Sequence, residues 1–127
     1  MLNKLLTPFT LSVPDEVLTD LRRRLENTRW PDEIPDNNWA CGTDLGYLKD
    51  LCAYWANEYD WRTHEGVINR FKQFKARVAG IDLHFIYEEG KGENPLPLLL
   101  SHGWPGSVYE FHKILPMLTD PLSHGGS

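Results

Sequence analysis

Pro97-Leu98-Leu99-Leu100-Ser101-His102-Gly103-Trp104-Pro105-Gly106-Ser107 is the stretch that fixes the architecture of this chain. Leu96 to Leu100 is apolar without alternation, as in a strand covered on both faces. The run stops at His-Gly-Trp-Pro-Gly, and a helix is predicted to open near Ser107. Such a turn presents backbone N–H groups at a strand end, close to a helix N-terminus. In a dry cleft, donors placed there stabilise a developing oxyanion by roughly 2.7–4 kcal/mol each. Gly103 and Gly106 permit close approach of a ligand, and Pro105 stiffens the turn by fixing φ. X-Pro bonds have only a small trans preference, which leaves a cis Trp104–Pro105 bond open. The same residues also suit a plain glycine-rich connection from strand to helix. An isolated histidine such as His102 is more often a structural hydrogen-bond partner than an acid or base.

Downstream, Ser107 and Glu110 form a capping-box pair, and Phe111, Ile114, Leu115 and Leu118 give the last helix its apolar face. Upstream, the hydrophobic period is 2. Phe74, Ala76 and Val78 alternate with polar residues, and so do Ile81, Leu83, Phe85 and Tyr87. The Ala79-Gly80 pair between them suits a tight hairpin turn.

Before residue 70 the period is helical. Val13, Val17, Leu18, Leu21 and Leu25 mark a first helix, with Ser12 as its cap, Pro14 and two acids in its first turn, and an end before Arg29-Trp30-Pro31. Residues 31–43, with Pro31, Pro35, Trp39 and Gly42, read as an ordered loop. A second helix from about Asp44 to Glu58 carries Leu45, Leu48, Leu51, Cys52 and Trp55 on one face. A short third helix covers about Thr63 to Arg70.

Composition narrows the function classes. The 127 residues are 41% hydrophobic and 24% charged, which argues for a folded domain. A net charge of −5 argues against a surface that tracks nucleic-acid phosphates, and Arg22-Arg23-Arg24 reads as a solvated helix end. Cys41 and Cys52 have neither metal-knuckle nor disulfide-framework spacing, so a reducing, cytoplasmic compartment is expected. No apolar run approaches a membrane span, and Met1 to Leu6 lacks the apolar core of a signal peptide. His64, His84, His112 and His124 share no ligand spacing, so neither metal nor cofactor is expected.

Taken together, the motifs resemble the epoxide hydrolases of the α/β-hydrolase fold, in particular the microsomal and juvenile-hormone type. The residues that carry the resemblance are Phe9 with Val13-Pro14, Arg29-Trp30-Pro31-Asp32, Tyr54-Trp55, Tyr59-Asp60-Trp61-Arg62 with His64-Glu65, Asn69 with Phe74, Gly80-Ile81-Asp82-Leu83-His84-Phe85, and His102 to Ser107. The last motif is shared with related hydrolases and dehalogenases. The Arg-Trp-Pro-Asp and Asp-Trp-Arg segments make the match specific.

The resemblance implies an α/β architecture, incomplete in this chain. Residues 1–70 correspond to a helical N-terminal region. Residues 71–127 correspond to the beginning of the hydrolase sheet: a hairpin, one buried strand and one helix. In this family an aspartate opens a small apolar epoxide through an ester intermediate, a histidine activates the hydrolytic water, and lid tyrosines polarise the epoxide oxygen. The resemblance assigns Trp104 an oxyanion-hole N–H, with His102, Gly103, Pro105 and Gly106 holding the loop. Nucleophile, base and lid correspond to later positions of the family pattern, so this chain by itself is expected to be inactive. The fold also implies that strand 96–101 does not pair with the preceding hairpin. Its edges would need a later strand, a second chain or self-association. Trp30, Trp39, Tyr54, Trp55 and Trp61 are expected to pack the N-terminal region onto the domain, leaving an apolar patch on residues 1–70 in isolation. The alternatives are a non-catalytic binding module, or part of an esterase or haloalkane dehalogenase.

Overall fold

A computed structural model describes residues 6–34 and 39–126. Pro35 of the expected loop, and Met1 to Leu5 of the segment that lacks a signal-peptide core, lie outside these. The chain divides into two compact units, Ser12–Trp61 and Met1–Leu11 with Arg62–Ser127. This division follows contacts, whereas the boundary near residue 70 follows the family pattern.

The first unit pairs helices α1 (Asp15–Glu26) and α2 (Leu45–Asn57). Leu18, Leu21 and Leu25 are half-buried on α1, and Leu45, Leu48 and Cys52 on α2, with Ala56 buried, as the 3.6-residue stripes require. Pro14, rather than Ser12, occupies the cap position of α1, and no side chain caps it. Asp15 and Glu16 instead complement the helix dipole. Asp44 caps α2, its carboxylate accepting the Tyr47 N–H at 2.8 Å. Trp39, Tyr47, Leu51, Tyr54 and Trp55 remain exposed, an aromatic-rich apolar surface on this unit. A groove between the helices is lined by Leu25, Trp30, Cys52 and Ala56, with Glu26 and Lys49 at its rim.

The second unit is built on a three-stranded antiparallel sheet in the order β1-β2-β3, comprising Leu6–Phe9, Gln73–Val78 and Ile81–Ile86. The β2–β3 hairpin forms as its alternation dictates, with Phe74 opposite Phe85 and Arg77 opposite Asp82. Both turn residues, Ala79 and Gly80, have positive φ (49° and 85°), as a two-residue turn of the primed type requires. The Phe74 and Phe85 rings stack 5.9 Å apart, and Arg77 donates to Asp82 at 2.9 Å.

Strand β1 was not expected. It is four residues long and contains Pro8, which suits only an edge strand. Its exit is fixed by Asn69, which follows helix α3 (Trp61–Ile68). The Asn69 amide accepts from the Leu11 N–H at 2.9 Å and donates to the Leu11 carbonyl at 2.7 Å. The buried Gln73 donates to Asn69 at 2.8 Å, and its carbonyl meets His84 Nε2 at 3.0 Å, so this nitrogen carries the proton. One polar chain thereby joins β1, α3, β2 and β3.

Two expectations fail in the second half of this unit. Leu96 to Leu100 forms no ladder, and Leu96 and Leu99 are 91% and 92% exposed. Apolar character alone does not make a strand: the N–H and C=O groups need a neighbour, and the described sheet supplies none here. The single helix expected from Ser107 is instead three pieces: a 3-10 turn at Val108–Phe111, helix α4 at Ile114–Thr119, and a second 3-10 turn at Pro121–His124. Prolines set these breaks. Pro116 fits only the first turn of α4, where its missing N–H is not needed, and Pro121 starts the last turn anew.

Candidate functional site

The His102–Ser107 turn is closed by a hydrogen bond from the Gly106 N–H to the Gly103 carbonyl at 2.7 Å. The Trp104–Pro105 peptide is cis, at the centre of this four-residue turn. Trp104 is 96% exposed, and among the described residues no group accepts its backbone N–H. The turn therefore leaves the Trp104 N–H, like those of His102 and Gly103, without an acceptor among the described residues, on a stiff support. His102 is exposed, and its Nδ1 contacts only the Gly103 carbonyl at 3.3 Å, consistent with shaping the loop.

Gly106 answers a steric requirement. A Cβ there would overlap the Glu110 carboxylate and lie 2.9 Å from the Gly103 carbonyl oxygen. Ser107 caps the following 3-10 turn by accepting the Tyr109 N–H at 3.2 Å. Neither bond of the expected capping box forms, because the Ser107 hydroxyl caps the second residue of the turn rather than the third. The Glu110 side chain does not reach back to the Ser107 N–H but sits against Gly106, and its own N–H donates to the Ser107 carbonyl at 3.1 Å.

Beyond the turn, Tyr109 gathers several contacts that the residue pattern did not reveal. Its hydroxyl lies 2.7 Å from His64 Nδ1 on α3, and its ring stacks on His112 at 4.2 Å. The Tyr109 carbonyl accepts from the His112 N–H at 3.1 Å and contacts His112 Nδ1 at 2.6 Å. The His64 contact spans 45 residues, so no local spacing could have signalled it.

The other titratable groups serve structure. Arg62 donates to the buried Glu65 at 2.6 Å within α3. Desolvation, reinforced by the nearby Lys75 charge, holds the His84 imidazole below its usual pKa. Lys75 also lies 4.2 Å above the Phe9 ring, which His84 meets edge-on at 5.0 Å. Hydrogen bonds from Lys91 and Ser123 keep the Asp120 carboxyl below the usual carboxylate range. Among the described residues no His, Cys, Asp and Glu cluster could hold a metal ion, and no helix is long and apolar enough to cross a membrane.

Residues 6–111 match the family model described as "Epoxide hydrolase N terminus". A putative epoxide hydrolase of Stigmatella aurantiaca is 49% identical over 121 residues, which cover 95% of this chain and 28% of that protein. Epoxide hydrolase 1 of Sus scrofa is 41% identical, covering 93% of this chain and 27% of its own length. Among solved structures, the Aspergillus niger epoxide hydrolase superimposes with a TM-score of 0.78 at 34% identity, over 87% of this chain and 30% of that one. Juvenile hormone epoxide hydrolase from Bombyx mori gives 0.82 at 29% identity, over 93% and 30%. The chain thus spans under a third of the length of these relatives.

Proposed function

The chain belongs to the epoxide hydrolase family, and from that premise we propose that it supplies the N-terminal region and one oxyanion donor of an enzyme that hydrolyses epoxides to vicinal diols. The observation that carries this reading is the Trp104 N–H, exposed and without an acceptor among the described residues, on a turn braced by Gly103, Pro105 and Gly106. In the complete reaction an aspartyl ester forms first. Water activated by a histidine then attacks its carbonyl carbon, and negative charge develops on the carbonyl oxygen as the tetrahedral intermediate forms. A backbone donor already aimed at that position needs no reorganisation as the charge appears, which is why such a group favours the transition state over the ground state.

His102 keeps the loop in shape, and Gly106 leaves room for the Glu110 carboxylate behind the turn. In this reading residues 1–70 are the N-terminal region and 71–127 the start of the hydrolase domain. The exposed Leu96–Leu100 segment is completed by a strand from further along the same protein, a second chain or a second copy. The substrate is a small apolar epoxide, and no nucleic acid takes part. The free Cys41 and Cys52 favour a cytoplasmic setting.

The experiment joins residues 1–127 to the remaining length of the Stigmatella aurantiaca relative and assays styrene oxide hydrolysis. The joined protein is expected to form diol and the 127-residue chain to form none. Trp104→Phe, which keeps the N–H, should stay within about tenfold of the parent. Trp104→Pro, which removes the donor, should cost on the order of 10²–10³-fold in kcat. Turnover by the 127-residue chain that an Asp substitution within it abolishes would overturn the reading.

A further inference from the structure

The loop that carries Trp104 has few attachments. Among the described residues, only one side-chain hydrogen bond runs from residues 96–113 to the rest of their unit: Tyr109 to His64 on α3, at 2.7 Å. The other side-chain bonds of this stretch are local, joining Ser101 to His102, His102 to Gly103, Ser107 to Tyr109, and His112 to Tyr109. Tyr109 is bound to the turn through its backbone as well, because its N–H closes on the Ser107 hydroxyl at 3.2 Å. Its ring stacks on His112. Both Tyr109 and His64 are half-buried, so water competes less for their bond than at an open surface.

We infer that Tyr109 is the positioning residue of the oxyanion turn, holding it to α3 through the Tyr109 hydroxyl–His64 hydrogen bond. The link to catalysis rests on the function proposed above; the tether itself does not. A hydroxyl serves this role better than an apolar ring. Packing allows a short 3-10 turn to slide on its support, whereas a directional bond fixes both distance and orientation. A donor 1 Å from its intended place loses much of its effect on a transition state.

The test uses amide hydrogen exchange on the isotope-labelled 127-residue chain. Tyr109→Phe keeps the ring and its stack on His112 and removes only the hydroxyl. It should speed exchange of the Gly106 and Glu110 amides about tenfold, and leave the β2–β3 ladder within about twofold, because the tether bears on a local opening. His64→Ala should match it, and the double variant should add nothing further. His64→Gln, whose amide can still meet the hydroxyl, should restore protection. Unchanged exchange in the turn, equal acceleration in the hairpin, or additive effects of the two substitutions would each overturn the proposal. Selective acceleration together with indifference of the joined enzyme to Trp104→Pro would leave the tether standing and remove the oxyanion reading instead.

Discussion

The β2–β3 hairpin and the more apolar Leu96–Leu100 segment belong to the same unit, yet only the hairpin is ordered into a sheet. The hairpin brings its own partner. Two residues of turn return the chain onto itself, and each strand satisfies the other's backbone groups. Leu96–Leu100 has the stronger hydrophobic content and no such return, so its side chains stay in water. Strand formation depends on where the next backbone is, and hydrophobicity only decides which face is covered once it arrives.

The largest effect is expected at the polar chain that anchors the hairpin. Asn69→Ala strands the Leu11 backbone pair and one Gln73 donor, and should cost about 2–3 kcal/mol. Urea unfolding should show a lower midpoint with unchanged slope. Next comes the turn. Ala79 has φ 49°, which an L-residue with a Cβ adopts at a cost, so Ala79→Asn should stabilise by about 1 kcal/mol. Calorimetry would register a higher Tm, and a lower one would refute the turn assignment.

A smaller, pH-dependent effect should come from His84. Its folded pKa lies below the ordinary 6.5, so the unfolded chain binds the proton more readily. The contribution is complete above pH 6.5 and is lost as pH falls through the folded value. His84→Gln should flatten that part of a stability–pH curve, and an unchanged curve would locate the dependence elsewhere. Smallest of all, Leu99→Lys should move stability by less than about 0.5 kcal/mol, since the side chain is already in water. It should nonetheless reduce self-association in sedimentation, because it places a charge on an apolar, unpaired segment.

What could be read in the sequence follows from how local each signal is. Helices α1 and α2 appear because one amphipathic stripe records both conformation and burial, and the hairpin because Ala79-Gly80 lies between two alternating runs. The composition of the His102–Ser107 turn left a cis Trp104–Pro105 bond open, and the bond is cis. Strand β1 was hidden by its length and by Pro8, since its only justification is a partner on β2. The Tyr109–His64 bond was hidden for the same reason, its two halves lying 45 residues apart. Leu96–Leu100 was read as a strand from its apolar run, and no strand forms there, although its lack of a partner in the preceding hairpin was expected from the resemblance.

The pairing of β1 with β2 also sets an order in time. Leu6 leaves the ribosome well before its ladder partner Ala76 and the Asn69 amide that grips Leu11. At about 5–20 residues per second, roughly 3–14 s pass before the first strand has anything to join. Helices α1 and α2, which pair with each other within Ser12–Trp61, can assemble during that wait. Strand β1 is therefore secured only once β2 has been made, and Leu6–Phe9 stays available to chaperones and proteases until β2 pairs with it.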